Sequence, residues 1–195
     1  MAVTINGTTG ITNPNGSAGA PAFTGQGSNT GLYFPTNTSV GLATGGIGRV
    51  ITDSSGNTTL PYQPSFSVRV NNSSYISTSP VPWSLEIYDV GSNFNTSTYR
   101  FTAPTDGKYF FSVGMYLQCE NSEDAYPRLR VNGVNSQYSY FYNVNTGSQI
   151  DVTVTCSAVF SLAVNDYVDV TFATTNAGRY YGGNTETVFY GYLLG

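Results

Sequence analysis

Tyr99-Arg100-Phe101-Thr102-Ala103-Pro104-Thr105-Asp106-Gly107 runs into Lys108-Tyr109-Phe110-Phe111-Ser112-Val113-Gly114-Met115-Tyr116-Leu117-Gln118. In the second half, Tyr109, Phe111, Val113, Met115 and Leu117 fall on one face at period two. Phe110, Ser112, Gly114, Tyr116 and Gln118 fall on the other. Alternation of this kind over ten residues predicts a long strand with one buried face. Thr105-Asp106-Gly107 supplies the turn that feeds it.

The same period recurs on both sides. Phe66-Ser67-Val68-Arg69-Val70 and Trp83-Ser84-Leu85-Glu86-Ile87 alternate upstream. Downstream, Leu129 and Val131 precede Asn132-Gly133, whose two residues both tolerate positive φ and so predict a tight hairpin. Ile150, Val152, Val154 and Cys156 alternate with Asp151, Thr153, Thr155 and Ser157, and Val168, Val170 and Phe172 continue the pattern. No stretch carries a helical period. Short strands separated by turns predict an all-β chain built as a double-sheet jelly-roll sandwich.

Composition narrows the function. Of 195 residues, 9% are charged and 14% aromatic, against about 25% charged in an ordinary globular chain. That excludes solvated disorder, which needs high charge and few aromatics. The net charge of −4 with a single lysine, Lys108, gives no phosphate-neutralising surface, so nucleic acid is not an expected partner. No apolar run approaches the ~18 residues of a membrane span, so no membrane insertion is expected. Met1-Ala2-Val3-Thr4-Ile5-Asn6-Gly7 lacks the basic and apolar regions of a secretory signal, so the sequons at Asn6, Asn37, Asn57, Asn72 and Asn95 carry little weight.

Catalysis is not expected. Without histidine, the Ser-His-Asp and Cys-His arrangements and the common zinc sites are excluded. Glu120, Glu123 and Asp124 cluster, but in a polar inter-strand loop that suits neither a glycosidase carboxylate pair nor a defined calcium loop. Asp166 reads as part of a turn at Asn165-Asp166. No cofactor and no metal are expected. Cys119 and Cys156 read as buried thiols, with one internal bridge left open.

Two aromatic runs are the recognition candidates. Tyr138, Tyr140 and Tyr142 at period two read as one face of a strand, used in core or trimer packing. Arg179-Tyr180-Tyr181, with Asn184 close by, sits among glycines without alternation. Tyr, Arg and Asn supply stacking faces and hydrogen bonds at low side-chain entropy, so this loop is the first choice for ligand contact, with packing as the alternative.

The order of motifs from Tyr99–Val113 through Ala158–Val168 to Thr187–Leu194 resembles the globular head of complement and collagen-like proteins, in the tumour necrosis factor superfamily. The resemblance implies a homotrimeric binding head over 61–195. Residues 1–60 differ in character. No Asp, Glu, Lys or Arg precedes Arg49, and Gly, Thr, Asn, Ser and Pro separate isolated apolar residues. Short β segments with too little core of their own are expected there, ordered by other chains as a trimer-interwoven stem.

Thr30-Gly31-Leu32-Tyr33-Phe34-Pro35, Val40-Gly41-Leu42-Ala43-Thr44-Gly45-Gly46 and Ile51-Thr52-Asp53-Ser54-Ser55-Gly56-Asn57 resemble the repeat of bacteriophage tail-fibre proteins. That implies a virion protein, assembled in the host cytoplasm and acting outside the cell. Its stem would attach to other virion proteins and its head would bind a host-surface glycan or protein. A capsid or tail decoration protein is the alternative.

Overall fold

The computed structural model describes residues 4–7, 10–72, 74–75, 80–119, 124–139, 141–142, 150–174, 179–182 and 187–195. Every regular element among them is a strand. The chain divides into two compact units, Met1–Tyr62 and Gln63–Gly195.

In the second unit the expected long strand runs Gly107–Cys119 and is the spine of the larger sheet. Along one edge it pairs in register with Ile150–Leu162 over its whole length. Along the other it pairs with Val188–Leu193 and, beyond that, Arg179–Tyr180. Ser65–Arg69 and then Leu85–Val90 extend the sheet. The smaller sheet runs Phe94–Asn95, Arg100–Thr102, Tyr167–Thr174, Asp124–Val131 and Val134–Tyr138, with Phe141–Tyr142 also on Asp124–Val131.

The alternating residues fill the core of this unit. Tyr109, Phe111, Val113, Met115 and Leu117 are all fully buried, and Val168, Val170 and Phe172 meet them from the smaller sheet. Phe66 sits among Phe94, Phe101 and Phe189, each with its ring centroid 5.0 Å away, and Phe94 and Phe189 are 6.1 Å from each other. Asn132 and Gly133 take φ of 51° and 80° and turn the chain between Val131 and Val134, as their residue types require.

One reading needs correction. The alternation of Trp83-Ser84-Leu85-Glu86-Ile87 does not mark one buried face. Trp83 is buried, but it precedes the strand, while Leu85 and Ile87 are exposed. The strand they open lies at the edge of the sheet, where packing no longer enforces inward and outward sides. The cysteines are unbridged thiols. Cys156 pairs with Val113, six positions before Cys119 on the same strand, about 20 Å away at a rise of ~3.3 Å per residue.

In the first unit the described strands find their ladder partners within the chain. Thr4–Asn6 pairs with Gly10–Thr12, and Gly16–Ser17 with Ala20–Pro21. Phe23–Thr24, Gly31–Tyr33, Val40–Thr44, Ile47–Thr52 and Thr58–Thr59 form a five-stranded meander. Gly45 and Gly46, with φ of 59° and 79°, make the two-residue turn that lets Val40–Thr44 fold back on Ile47–Thr52. Backbone pairing here does not require another chain, because Gly and Asn turns close each hairpin locally. One face of the meander is filled by Tyr33, whose ring lies over Gly41 and Gly48. A Cβ on Gly41 would come within 2.6 Å of that ring.

Candidate functional site

Among the described residues of the second unit, the most exposed aromatic side chains, Tyr88 and Tyr192, lie on the outer face of the larger sheet. Ladder register builds it in rows. Tyr192 lies opposite Phe110, which lies opposite Val159. In the next row Tyr88, Ser67, Tyr190, Ser112 and Ser157 stand side by side. The Phe110 ring is 5.3 Å from Tyr192 and 6.4 Å from Tyr190. Tyr88, Val159 and Tyr192 are exposed to 48%, 53% and 41%, more than an apolar row leaves open once it is packed. The floor between the rings is polar, with the Ser157 hydroxyl donating to that of Ser112 at 2.8 Å.

At the far end of the same strands a second aromatic cluster forms. Tyr116 and Tyr181 stack with centroids 5.0 Å apart. The Arg179 guanidinium lies 5.3 Å over the Tyr181 ring, and the Tyr116 hydroxyl donates to Asp151 at 3.2 Å. A stacked pair flanked by a cation and a carboxylate offers flat π faces beside directional donors and acceptors. That combination suits sugars and polar protein surfaces.

The sequence candidates therefore separate. Arg179 and Tyr181 are half-buried members of this cluster, but Tyr180 is not an exposed tip residue. It is 4% exposed, because Arg179–Tyr180 forms a short strand against Leu117 and Gln118 that turns alternate side chains inward. Asn184 lies outside the described residues. Tyr138 and Tyr142 sit opposite Arg128 and Asp124 in a single register at the edge of the smaller sheet, while Tyr140 lies outside the described residues.

We expect Tyr180→Ala to cost about 3 kcal/mol of head stability, the usual scale for emptying a large aromatic site. Tyr181→Ala should stay within about 1 kcal/mol. Urea denaturation of the two variants checks this, and equal losses would contradict the placement.

The smaller sheet holds a polar centre that motif reading missed. Asp169 is completely buried and accepts Arg130 Nε at 2.7 Å and Nη2 at 2.8 Å, with Arg100 Nε at 3.3 Å. Arg100 also lies 4.1 Å over the Tyr167 ring. A carboxylate between Val168 and Val170 in an apolar strand was the available signal, since a charge there needs a partner. Its partners are 39 and 69 residues away. Asp166 has a different role in the Asn165 turn, where it accepts Asn132 Nδ2 at 2.7 Å and the Ala163 N–H at 2.8 Å.

Glu120 and Glu123 lie outside the described residues. Among the described residues no three His, Cys, Asp or Glu side chains gather as a metal ion would require, and no helix is long and apolar enough to cross a membrane.

The titrating groups set a pH profile. The Asn132 amide and then the Ala163 N–H hold the Asp166 carboxyl below its ordinary value of 3.8. Asn57 does the same for Asp53, through its side chain and then its backbone. A carboxyl lowered in the folded chain contributes stability that is present above its ordinary value and lost as pH falls through the folded one. Burial raises the Cys156 thiol above 9.0 and the Tyr109 phenol above 10.0. Stability from these is complete below those values and lost as pH rises past them. With no histidine, the melting temperature should be flat from about pH 5 to 8, falling below about 4 and above about 9. A sigmoidal step near pH 6.5 would contradict this assignment.

Two facing antiparallel sheets, aromatic on one outer face and packed over a buried aromatic core, form a jelly-roll sandwich. The C1q domain model matches residues 65–194, and the chain belongs to the C1q domain family. Domains of this family are typically trimeric, non-enzymatic recognition heads. Among solved structures the chain is similar to the globular domain of zebrafish complement 1qA protein, with 24% identity and a TM-score of 0.52. The match covers 68% of this chain and 98% of that one, and it shows the shared fold. No curated protein matches the chain.

Proposed function

We propose that the chain is a homotrimeric bacteriophage virion protein, a tail fibre or fibre tip whose C1q head binds a glycan or protein on the host surface without catalysis. One observation carries the binding role: the outer face of the larger sheet, with Phe110, Tyr190 and Tyr192 in contact and the Tyr116–Tyr181 stack beside Arg179. A face this aromatic on a head with so few charges is suited to burial against another surface. The Phe110–Tyr192 rows fit packing between the copies of a trimer, and the Tyr181 cluster fits ligand contact. The tail-fibre-like stretches in residues 30–57 support the virion location, with the N-terminal unit as the attachment stem.

Light scattering of the purified protein is expected to give three chains per particle, and fluorescently labelled trimer is expected to adsorb to host cells. With few charges at the contact, adsorption should change little between low and physiological salt. Tyr181→Ala should reduce adsorption several-fold while the trimer persists. A folded monomer at micromolar concentration would overturn the trimer. A trimer that joins virions but ignores cells would favour the decoration role instead.

A further inference from the structure

The N-terminal meander has one closed face and one open face. On the closed face Tyr33 and Ala43 are 6% and 2% exposed, with the Tyr33 ring filling the space over Gly41 and Gly48. On the open face the ladder aligns Phe23, Leu32, Leu42 and Val50 in one row across four strands, because each is the register partner of the next. Val40 extends the row on the same side. Phe23, Val40 and Leu42 are 39%, 39% and 50% exposed. Leu32, Val40, Leu42 and Val50 also line a shallow groove on this face.

We infer that this row is a self-docking surface, against which the same face of a second and third copy of this chain packs. Three observations select that occupant. First, residues 1–62 contain a single cation, Arg49, and a single anion, Asp53, so the face has no charge with which to select a charged partner. Second, the closed face is too small a core for a unit of about 60 residues, which is marginal even when well packed. Burial of the open row supplies what is missing. Third, the unit is joined to the head through Tyr62 and Gln63, so a trimeric head would tether three such units in one particle. Short tethers of this kind give effective concentrations on the order of millimolar, at which a weak apolar contact forms. Around a three-fold axis the contact closes on itself and leaves no open edge for further growth.

The inference rests on the trimeric reading of the head, and the test separates the two. In full-length protein, Leu42→Cys would be treated with a short bismaleimide, with Ser55→Cys in the exposed Asp53–Asn57 turn as the comparison. Light scattering would be run on the same samples. The native thiols Cys119 and Cys156 are buried and add little background. We expect three-chain particles in which Leu42→Cys yields covalent two- and three-chain species at least several-fold above Ser55→Cys. Adding Leu42→Glu to a Phe23→Cys chain should abolish its cross-links. Leu42 is half exposed in one chain, so this change removes little packing inside the unit. Three-chain particles in which Leu42→Cys reacts with a monofunctional maleimide but does not cross-link would overturn the inference and leave the head trimer intact. The face would then be open to a different partner. Single-chain particles would overturn the trimer and the self-docking face together.

Discussion

Phe66→Ala is expected to cost the head about 3–5 kcal/mol, the range for removing a buried phenylalanine. Phe66 is fully buried. It stacks on Phe94 and Phe101 and meets Phe189 edge-on, all at 5.0 Å. Its strand supplies one sheet, while Phe94 and Phe101 come from the other, so the ring is a contact between the two layers. Truncation leaves a void lined by three other rings that cannot close over it, because each is held by its own strand register. Total stabilities of domains lie at about 5–15 kcal/mol, so the variant should be marginal at room temperature. Urea denaturation should show a lower midpoint with unchanged slope, and Phe66→Leu should lose less. A shift under about 1 kcal/mol would mean that the layers are held elsewhere.

Asp169→Ala is expected to have an effect of similar size, for an electrostatic reason. The carboxylate is wholly buried, and the Arg130 side chain that grips it is 19% exposed. Removing one partner of a buried pair strands the other charge, at a cost of about 3–5 kcal/mol. Arg100→Ala should cost far less, about 1 kcal/mol or below. Its side chain is 38% exposed and its contact is longer, at 3.3 Å, so solvent screens it. A double-mutant cycle between positions 130 and 169 measures the coupling directly. Equal losses from Arg100→Ala and Asp169→Ala would show that the charge is not effectively buried.

What was legible in the sequence was whatever repeats locally. The Gly107–Cys119 strand declared its inward face through Tyr109, Phe111, Val113, Met115 and Leu117, because a strand buried on one side must alternate. Asn132-Gly133 declared its hairpin because few other pairs accept its backbone. Edge positions broke the rule. Leu85 and Ile87 alternate yet lie exposed, since an edge strand has less to pack against.

The candidate site was less legible still. Tyr180 sits in a segment of two paired residues, too short for any period, and only its pairing with Leu117 turns it inward. Tyr116 and Tyr181 are 65 residues apart, and Asp169 lies 39 and 69 residues from its arginines, so ladder register alone brings them together. In the N-terminal unit, strands of two to six residues carry little signal individually. The open row of Phe23, Leu32, Leu42 and Val50 becomes visible only once four of those strands are aligned.

The six ladder positions between Cys156 and Cys119 have a consequence for where the chain can work. A bridge between them would have to tear the central pairing of the larger sheet, so oxidants have nothing to gain from the folded head. Burial, which raises the Cys156 thiol, also keeps its reactive thiolate scarce. Melting curves with and without reductant should therefore superimpose. A head of this kind can be made in a reducing medium and used in an oxidising one with no internal disulfide to form between them.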